Sequence, residues 1–170
     1  MDAGTGADIR KMGILGPAPA PFRHAQPLAV IAAGGLIAGA LDLTYAIVVY
    51  SPRRPILIPQ HIASGLLGMK SFSGGAATAA LGVVLHFVIA LGAAAVFYLA
   101  SRRIPFMVNR AVLAGVIFGA LVYLFMHAVV LPLSAVRPSQ APLVYRAAEF
   151  VWHWIGVGQP IALSVRHFSR

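Results

Sequence analysis

The chain contains no cysteine. That removes disulfide cross-links, thiolate nucleophiles, iron–sulfur ligation and thioether attachment of haem from consideration. Charge is nearly as scarce. Charged residues make up 10% of the chain and apolar ones 59%, where a soluble domain carries roughly 25% and 45–50%. Acidic residues are the rarest, four in 170. A charged, water-facing shell cannot be built from that supply, so lipid is the expected solvent. Catalytic signatures are missing too: there is no Gly-x-Ser-x-Gly, phosphate-binding loop, His-Glu-x-x-His or paired-carboxylate motif. Gly156-Val157-Gly158 follows no strand and is not a dinucleotide fingerprint. Ser64 near His61 is a helix-face neighbour rather than part of a triad. An enzyme is therefore a distant third reading.

What is present is a set of long apolar runs bounded by arginine. The formal charge of +9 suggests nucleic acid, but Arg53, Arg54, Arg102, Arg103, Arg110, Arg137, Arg166 and Arg170 all flank apolar runs. Basic residues at such ends answer the positive-inside rule and anionic lipid head groups. No nucleic-acid partner is expected; the bilayer is the expected partner.

About 20 helical residues cross a hydrocarbon core of roughly 30 Å. The runs 28–49, 75–100, 111–133 and 143–165 meet that length, the fourth being the most polar. The expected fold is an all-α polytopic membrane protein with four transmembrane helices in one domain, 27–170. Residues 1–26, rich in Gly, Ala and Pro with Arg10, Lys11, Arg23 and His24, read as a disordered basic tail. A cleaved signal peptide competes for this region, but the first run is too long, contains Asp42 and lacks a convincing cleavage site. Between the first two spans, Pro59 suits a helix start and Gly68 its end. That helix is too short to cross and reads as interfacial or re-entrant. Ile58, Ile62, Leu66 and Met69 share one face; His61, Ser64 and Gly68 share another.

With the N-terminus inside, Arg10, Lys11, Arg23, Arg102, Arg103, Arg110, Arg166 and Arg170 lie on the inner side. Arg53, Arg54, Lys70, Arg137 and Arg146 lie outside. Eight basic residues against five place both termini in the cytoplasm.

In lipid, helices associate by close backbone approach, so small residues mark their contacts. Gly35 and Gly39 give that spacing in the first span, Gly82 belongs to a small-residue side of the second, Gly115 and Gly119 mark the third, and Gly156 marks the fourth. Ionisable groups at membrane depth are expensive and usually face the protein interior or a water cavity. Asp42, His86, His127, Glu149 and His153 qualify, and His61 sits on the outer connection. The four-span topology gathers most of them in the outer half of the bundle. Trp152, Trp154, Tyr145 and Phe150 read as an aromatic belt near the outer boundary.

Three explanations of the polar set compete. In the structural one, Asp42 and Glu149 pair with Arg146 or a histidine, or stay protonated. In the second, the set lines an outward-opening pathway for a proton, ion or small solute. In the third, histidines from different helices ligate a metal or b-type haem. The metal signal is weak: Glu149 and His153 are four apart, which is not the Glu-x-x-His of di-iron bundles. No cofactor is expected, with haem b or a metal ion as the lesser alternative.

Gly-Gly-Leu-Ile-Ala-Gly-Ala-Leu-Asp (34–42), Ile-Ala-Ser-Gly-Leu-Leu-Gly (62–68) and Val-Val-Leu-Pro-Leu-Ser-Ala (129–135), in that order, resemble small, uncharacterised four-helix proteins of the bacterial inner membrane. The resemblance covers roughly 28–165. It implies that compartment and brings no activity, cofactor or catalytic residue; it points to Asp42, the 62–68 segment and the Pro132 turn. Two function classes stay open. The first is a small transporter or channel-like protein with an outward-facing polar pocket. The alternative is an accessory or assembly subunit of a larger membrane complex, and a homo-oligomer is compatible with either.

Overall fold

The computed structural model describes residues 27–136 and 141–169. The expected tail over 1–26 lies outside the described residues, as do Arg137 and Arg170. Every regular element among the described residues is helical. α1 spans Pro27–Tyr50, α2 Leu57–Leu67, α3 Gly75–Ser101, α4 the single turn Phe106–Asn109, α5 Ala111–Leu133, α6 Leu143–Trp152 and α7 Gln159–Phe168. A tight 3-10 stretch, Gly68–Ser73, joins α2 to α3.

α1, α3 and α5 have 24, 27 and 23 residues and mean hydropathies of 1.7, 2.4 and 2.3. All three are long and apolar enough to cross a membrane. They match the expected runs to within one residue at each end.

The fourth expected run is helical but built differently. α6 and α7 have ten residues each, and a π turn, His153–Gly158, joins them without leaving right-handed helical dihedrals at either junction. Neither α6 nor α7 alone reaches the length of a span. A second π turn, Met126–Val130, lies inside α5. Proline accounts for both. Pro132 and Pro160 lack an N–H, and their rings push against the carbonyls four residues back, those of Ala128 and Gly156. The backbone answers with bonds one residue longer: Leu131 N–H donates to the Met126 carbonyl, and Gln159 N–H to that of Trp154.

Packing places small residues inside and large apolar ones outside. On α1, Gly34, Gly35, Ala38 and Gly39 are buried, while neighbouring Leu36 and Ile37 are 48% and 52% exposed. On α3, Gly82 and Ala94 are buried and Val84 and Val88 are exposed. A water-soluble bundle buries its large aliphatic residues; the reverse suits helices held by backbone proximity in an apolar solvent. The largest fully enclosed apolar side chains are Phe97, Ile161 and Val30. With Ala94, Ala111, Ala114 and Val165 they form one core, at the end of the bundle where α1 and α5 begin and α3 and α7 finish. There Phe97 of α3 meets Phe118 of α5 edge to face, with ring centroids 5.0 Å apart. α1 packs against α3 and against the C-terminal run, which packs in turn against α5.

α2 lies along the first turns of α3. Gly68 ends it and Gly75 opens α3, at φ of +59° and +58°, a left-handed conformation that glycine adopts without a Cβ penalty. Buried Gln60 donates through Nε2 to the Gly75 carbonyl at 3.0 Å. The Pro59 carbonyl sits so close to Gly82 that a Cβ there would overlap it. On the other side, Ala135 N–H donates to the Gly65 carbonyl at 3.0 Å. The buried face is thus Pro59, Gln60, Ala63 and Ser64, and Leu66, Leu67 and Met69 point outward. The expected division into faces changes in one respect: Ser64 turns into the protein while His61 stays exposed.

Candidate functional site

The six ionisable residues singled out from the sequence do not converge on one pocket. His86 is half-buried between α1 and α3. Its Nε2 lies 2.9 Å from the Gly39 carbonyl; a carbonyl only accepts, so Nε2 carries the proton. The bond joins two helices at the point where Gly39 lies against the Phe87 ring.

Glu149 is half-buried on α6, and its Oε2 accepts the Tyr50 hydroxyl at 3.0 Å. The expected pairing of Glu149 with Arg146 or a histidine does not form: its side-chain partner is a phenol from the end of α1, 99 residues away. Tyr50 also packs near Tyr145, with centroids 6.1 Å apart. One turn further into the bundle, Tyr45 and Trp152 stack almost parallel at 4.6 Å.

His127 and His153 meet the same ring from different helices. His127 stacks on Tyr123 with centroids 4.0 Å apart, and His153 approaches that ring nearly perpendicular at 5.3 Å. Phe150 packs edge-on against Tyr123 as well. Each histidine donates Nδ1–H to the carbonyl four residues earlier in its own helix, His127 to Tyr123 and His153 to Glu149, at 3.0 and 2.9 Å. Both sit at a π turn. With Nδ1 fixed, Nε2 is the nitrogen left to accept a proton or ligand. The Tyr123 hydroxyl donates to the Arg146 carbonyl at 3.3 Å, which ties α5 to α6.

Asp42 and His61 stand apart. Asp42 is half-buried on the Gly35–Gly39 side of α1 and makes no hydrogen bond or ion pair with another described residue. His61 lies on α2 with its ring 6.4 Å from that of Phe72. Local desolvation holds its imidazole below the ordinary histidine value, although the residue itself is exposed. No group of three or more His, Cys, Asp or Glu able to hold a metal occurs among the described residues.

The packing glycines make closer contacts than the polar set does. Gly35 faces the Leu91 backbone, where a Cβ would stand 2.9 Å from Cα. Gly119 lies against the His153 carbonyl and Gly158 against that of Gly115, both too close for a Cβ. Gly156 accommodates the indole of Trp152 from its own helix. Trp152, Phe150 and Trp154 therefore pack within the bundle against Tyr45, Tyr123 and one another, beyond the belt role expected of them.

Sequence reasoning missed Tyr50, Tyr123, Gln159 and Gly158. Tyr123 had a usable signal, four residues before His127. Gln159, whose Nε2 donates to the Val112 carbonyl at 2.8 Å, had one in being an amide beside proline within an apolar run. Comparison of the chain with family models, with curated proteins and with solved structures found no match.

Proposed function

We propose that this chain is a four-span integral membrane protein that serves as an accessory or assembly subunit of a larger membrane complex, in a bacterial inner membrane with both termini in the cytoplasm. The observation that carries this reading is the use made of the polar groups. His86 to Gly39, Tyr50 to Glu149, Gln159 to Val112 and Ser164 to Val30 are all bonds from one long helical segment to another. Polar side chains in that role glue helices together. The outward surface, rich in exposed Leu, Val and Ile, suits lipid and neighbouring helices. The run α6–π–α7 is nearly as long as α3 and completes the fourth crossing. The resemblance noted for 34–42, 62–68 and 129–135 agrees with this setting.

The second reading, a small transporter or channel-like protein, is favoured by one residue. Asp42 is a carboxylate at membrane depth without a described partner, and such groups mark ion and proton pathways in other membrane proteins. Reconstitution into vesicles with a pH-sensitive dye separates the two. An accessory subunit gives proton and cation flux equal to that of empty vesicles. Flux abolished by Asp42→Asn overturns the first reading in favour of the second.

The topology has its own test. The chain has no cysteine, so Ser51→Cys and Ser169→Cys each introduce a single thiol. In intact cells an impermeant maleimide should label position 51, and should reach position 169 only after permeabilisation. Labelling of both in intact cells would remove the fourth span.

A further inference from the structure

We propose that a groove between α1 and the C-terminal run holds one acyl chain of an anionic phospholipid, with its head group at the basic end of the bundle; the proposal rests on the membrane reading above. The groove has a volume of about 400 Å³. Its walls are Ala33 and Ile37 from α1 and Ile155, Pro160, Leu163 and Phe168 from the other side.

Three polar side chains also line it, and two are already engaged. Gln159 donates to the Val112 carbonyl and Ser164 to the Val30 carbonyl. The third, His167, is exposed at the last turn of α7. The groove therefore offers an apolar trough along its length and one free polar group at one end, which is the pattern of an amphiphile. The C-terminal wall runs from Ile155 to Phe168, about 20 Å at 1.5 Å per residue, and α1 faces it over one turn, from Ala33 to Ile37. Half of a roughly 30 Å hydrocarbon core is about 15 Å. A wall of that length can line a chain lying along one leaflet, with α1 closing on it at Ala33 and Ile37.

Charge selects the head group. At this end α7 carries Arg166 and His167 in its last turn, Arg102 and Arg103 follow α3, and Arg110 precedes α5. Arg166 has no ion-pair partner among the described residues. Asp42 and Glu149, the acidic residues described, lie in the opposite half of the bundle. Cationic pockets beside membrane helices at the basic side bind anionic head groups. A zwitterionic lipid with the same chains fits the trough equally well but lacks the net charge.

The test uses the full chain purified in dodecyl maltoside and delipidated. Native mass spectrometry counts bound dioleoyl phosphatidylglycerol and, separately, dioleoyl phosphatidylcholine. The expected result is one phosphatidylglycerol held at least tenfold more tightly than phosphatidylcholine. The double variant Arg166→Gln/His167→Gln should bring the two lipids to within about twofold of each other. Ala33→Trp, which fills the trough, should weaken both; if that variant does not fold, Leu163→Trp at a partly exposed position replaces it. Equal binding of the two lipids by the unmodified chain overturns the proposal. So does a preference that survives both changes, or a dimer that forms through this groove and excludes lipid. A protein that fails these tests yet still needs detergent to stay in solution loses the lipid site and keeps the membrane reading.

Discussion

The α1–α3 seam and the seam between α5 and the C-terminal run both set glycine against a neighbouring helix, but the glycines meet different things. On the first seam Gly35 faces both the backbone and the side chain of Leu91, but at Gly39 the nearest atoms belong to the Phe87 ring and the Ala90 methyl. At Gly119 and Gly158 they are backbone carbonyls, of His153 and Gly115. A side chain can turn aside, whereas a helical backbone moves only as a body. The first seam is regular α-helix on both sides, and the helices of the second carry both π turns. Proline set those turns and glycine allows the close fit beside them, so the second seam is the less forgiving of the two.

The largest expected effect tests that difference directly. Alanine in place of glycine in a helix gains roughly 0.5–1 kcal/mol from backbone entropy, while overpacking costs about 1–3 kcal/mol and occasionally more. At Gly119 or Gly158 the clash wins, and each alanine variant should lose about 1–3 kcal/mol in reversible unfolding from mixed detergent micelles. Gly39→Ala should lie within about 1 kcal/mol of the parent, since Phe87 can shift. Gly92 meets nothing within 4 Å, so Gly92→Ala should be neutral or stabilising by up to about 1 kcal/mol. A variant at position 39 that is more damaging than one at 119 would break the comparison.

The histidines divide along the same line. His86 bonds from helix to helix, while His127 and His153 bond within their own helices. Interhelical bonds of this kind average about 0.6 kcal/mol, with a maximum near 1.7. His86→Leu should therefore destabilise the α1–α3 seam by that amount, read in the same unfolding experiment. His127→Leu removes a bond inside one helix together with a stack on Tyr123, and should leave helix association less affected. Tyr50→Phe comes next, with a loss below that of His86→Leu and no more than about 0.6 kcal/mol, because it removes one hydroxyl at an exposed end of α1 and leaves the ring against Tyr145. A loss for Tyr50→Phe above that for His86→Leu would move the main polar tie from the first seam to the end of α6.

The sequence carries the three apolar spans plainly, because length and hydropathy are local properties. Gly35, Gly39, Gly115 and Gly119 were also legible, since a four-residue spacing on an uninterrupted helix identifies one face. Gly158 was not. Counting 3.6 residues per turn forward from Glu149 assigns the contact stripe to His153 and Gly156, but the π turn inserts an extra residue in between. Everything beyond it rotates by about 100°, and the stripe passes to Gly158 and Ile161. Pro160 was the visible warning, and the rotation it causes is a response of the whole turn. The Tyr50–Glu149 and His86–Gly39 pairings were invisible for another reason. Which polar group meets which depends on the order of helices around the bundle, and no local pattern encodes that order.

The smallest expected effect concerns α2, the segment outside both seams. His61 has its imidazole held below the ordinary value of 6.5 by desolvation. Folding therefore favours the neutral ring. Any stability this residue contributes is fully present above pH 6.5 and is lost as the pH falls through the lowered value. Its exposure screens the effect, so the change should fall below those of the hydrogen-bond variants. Other histidines titrate in the same window, and the difference between two proteins isolates His61. The drop in unfolding midpoint from pH 8 to pH 5 should be slightly smaller for His61→Gln than for the parent chain. An identical drop would mean that water reaches the ring as freely in the folded protein as in the unfolded one. α2 would then be held to the bundle only by its buried face, through Gln60 to Gly75 and Gly65 to Ala135.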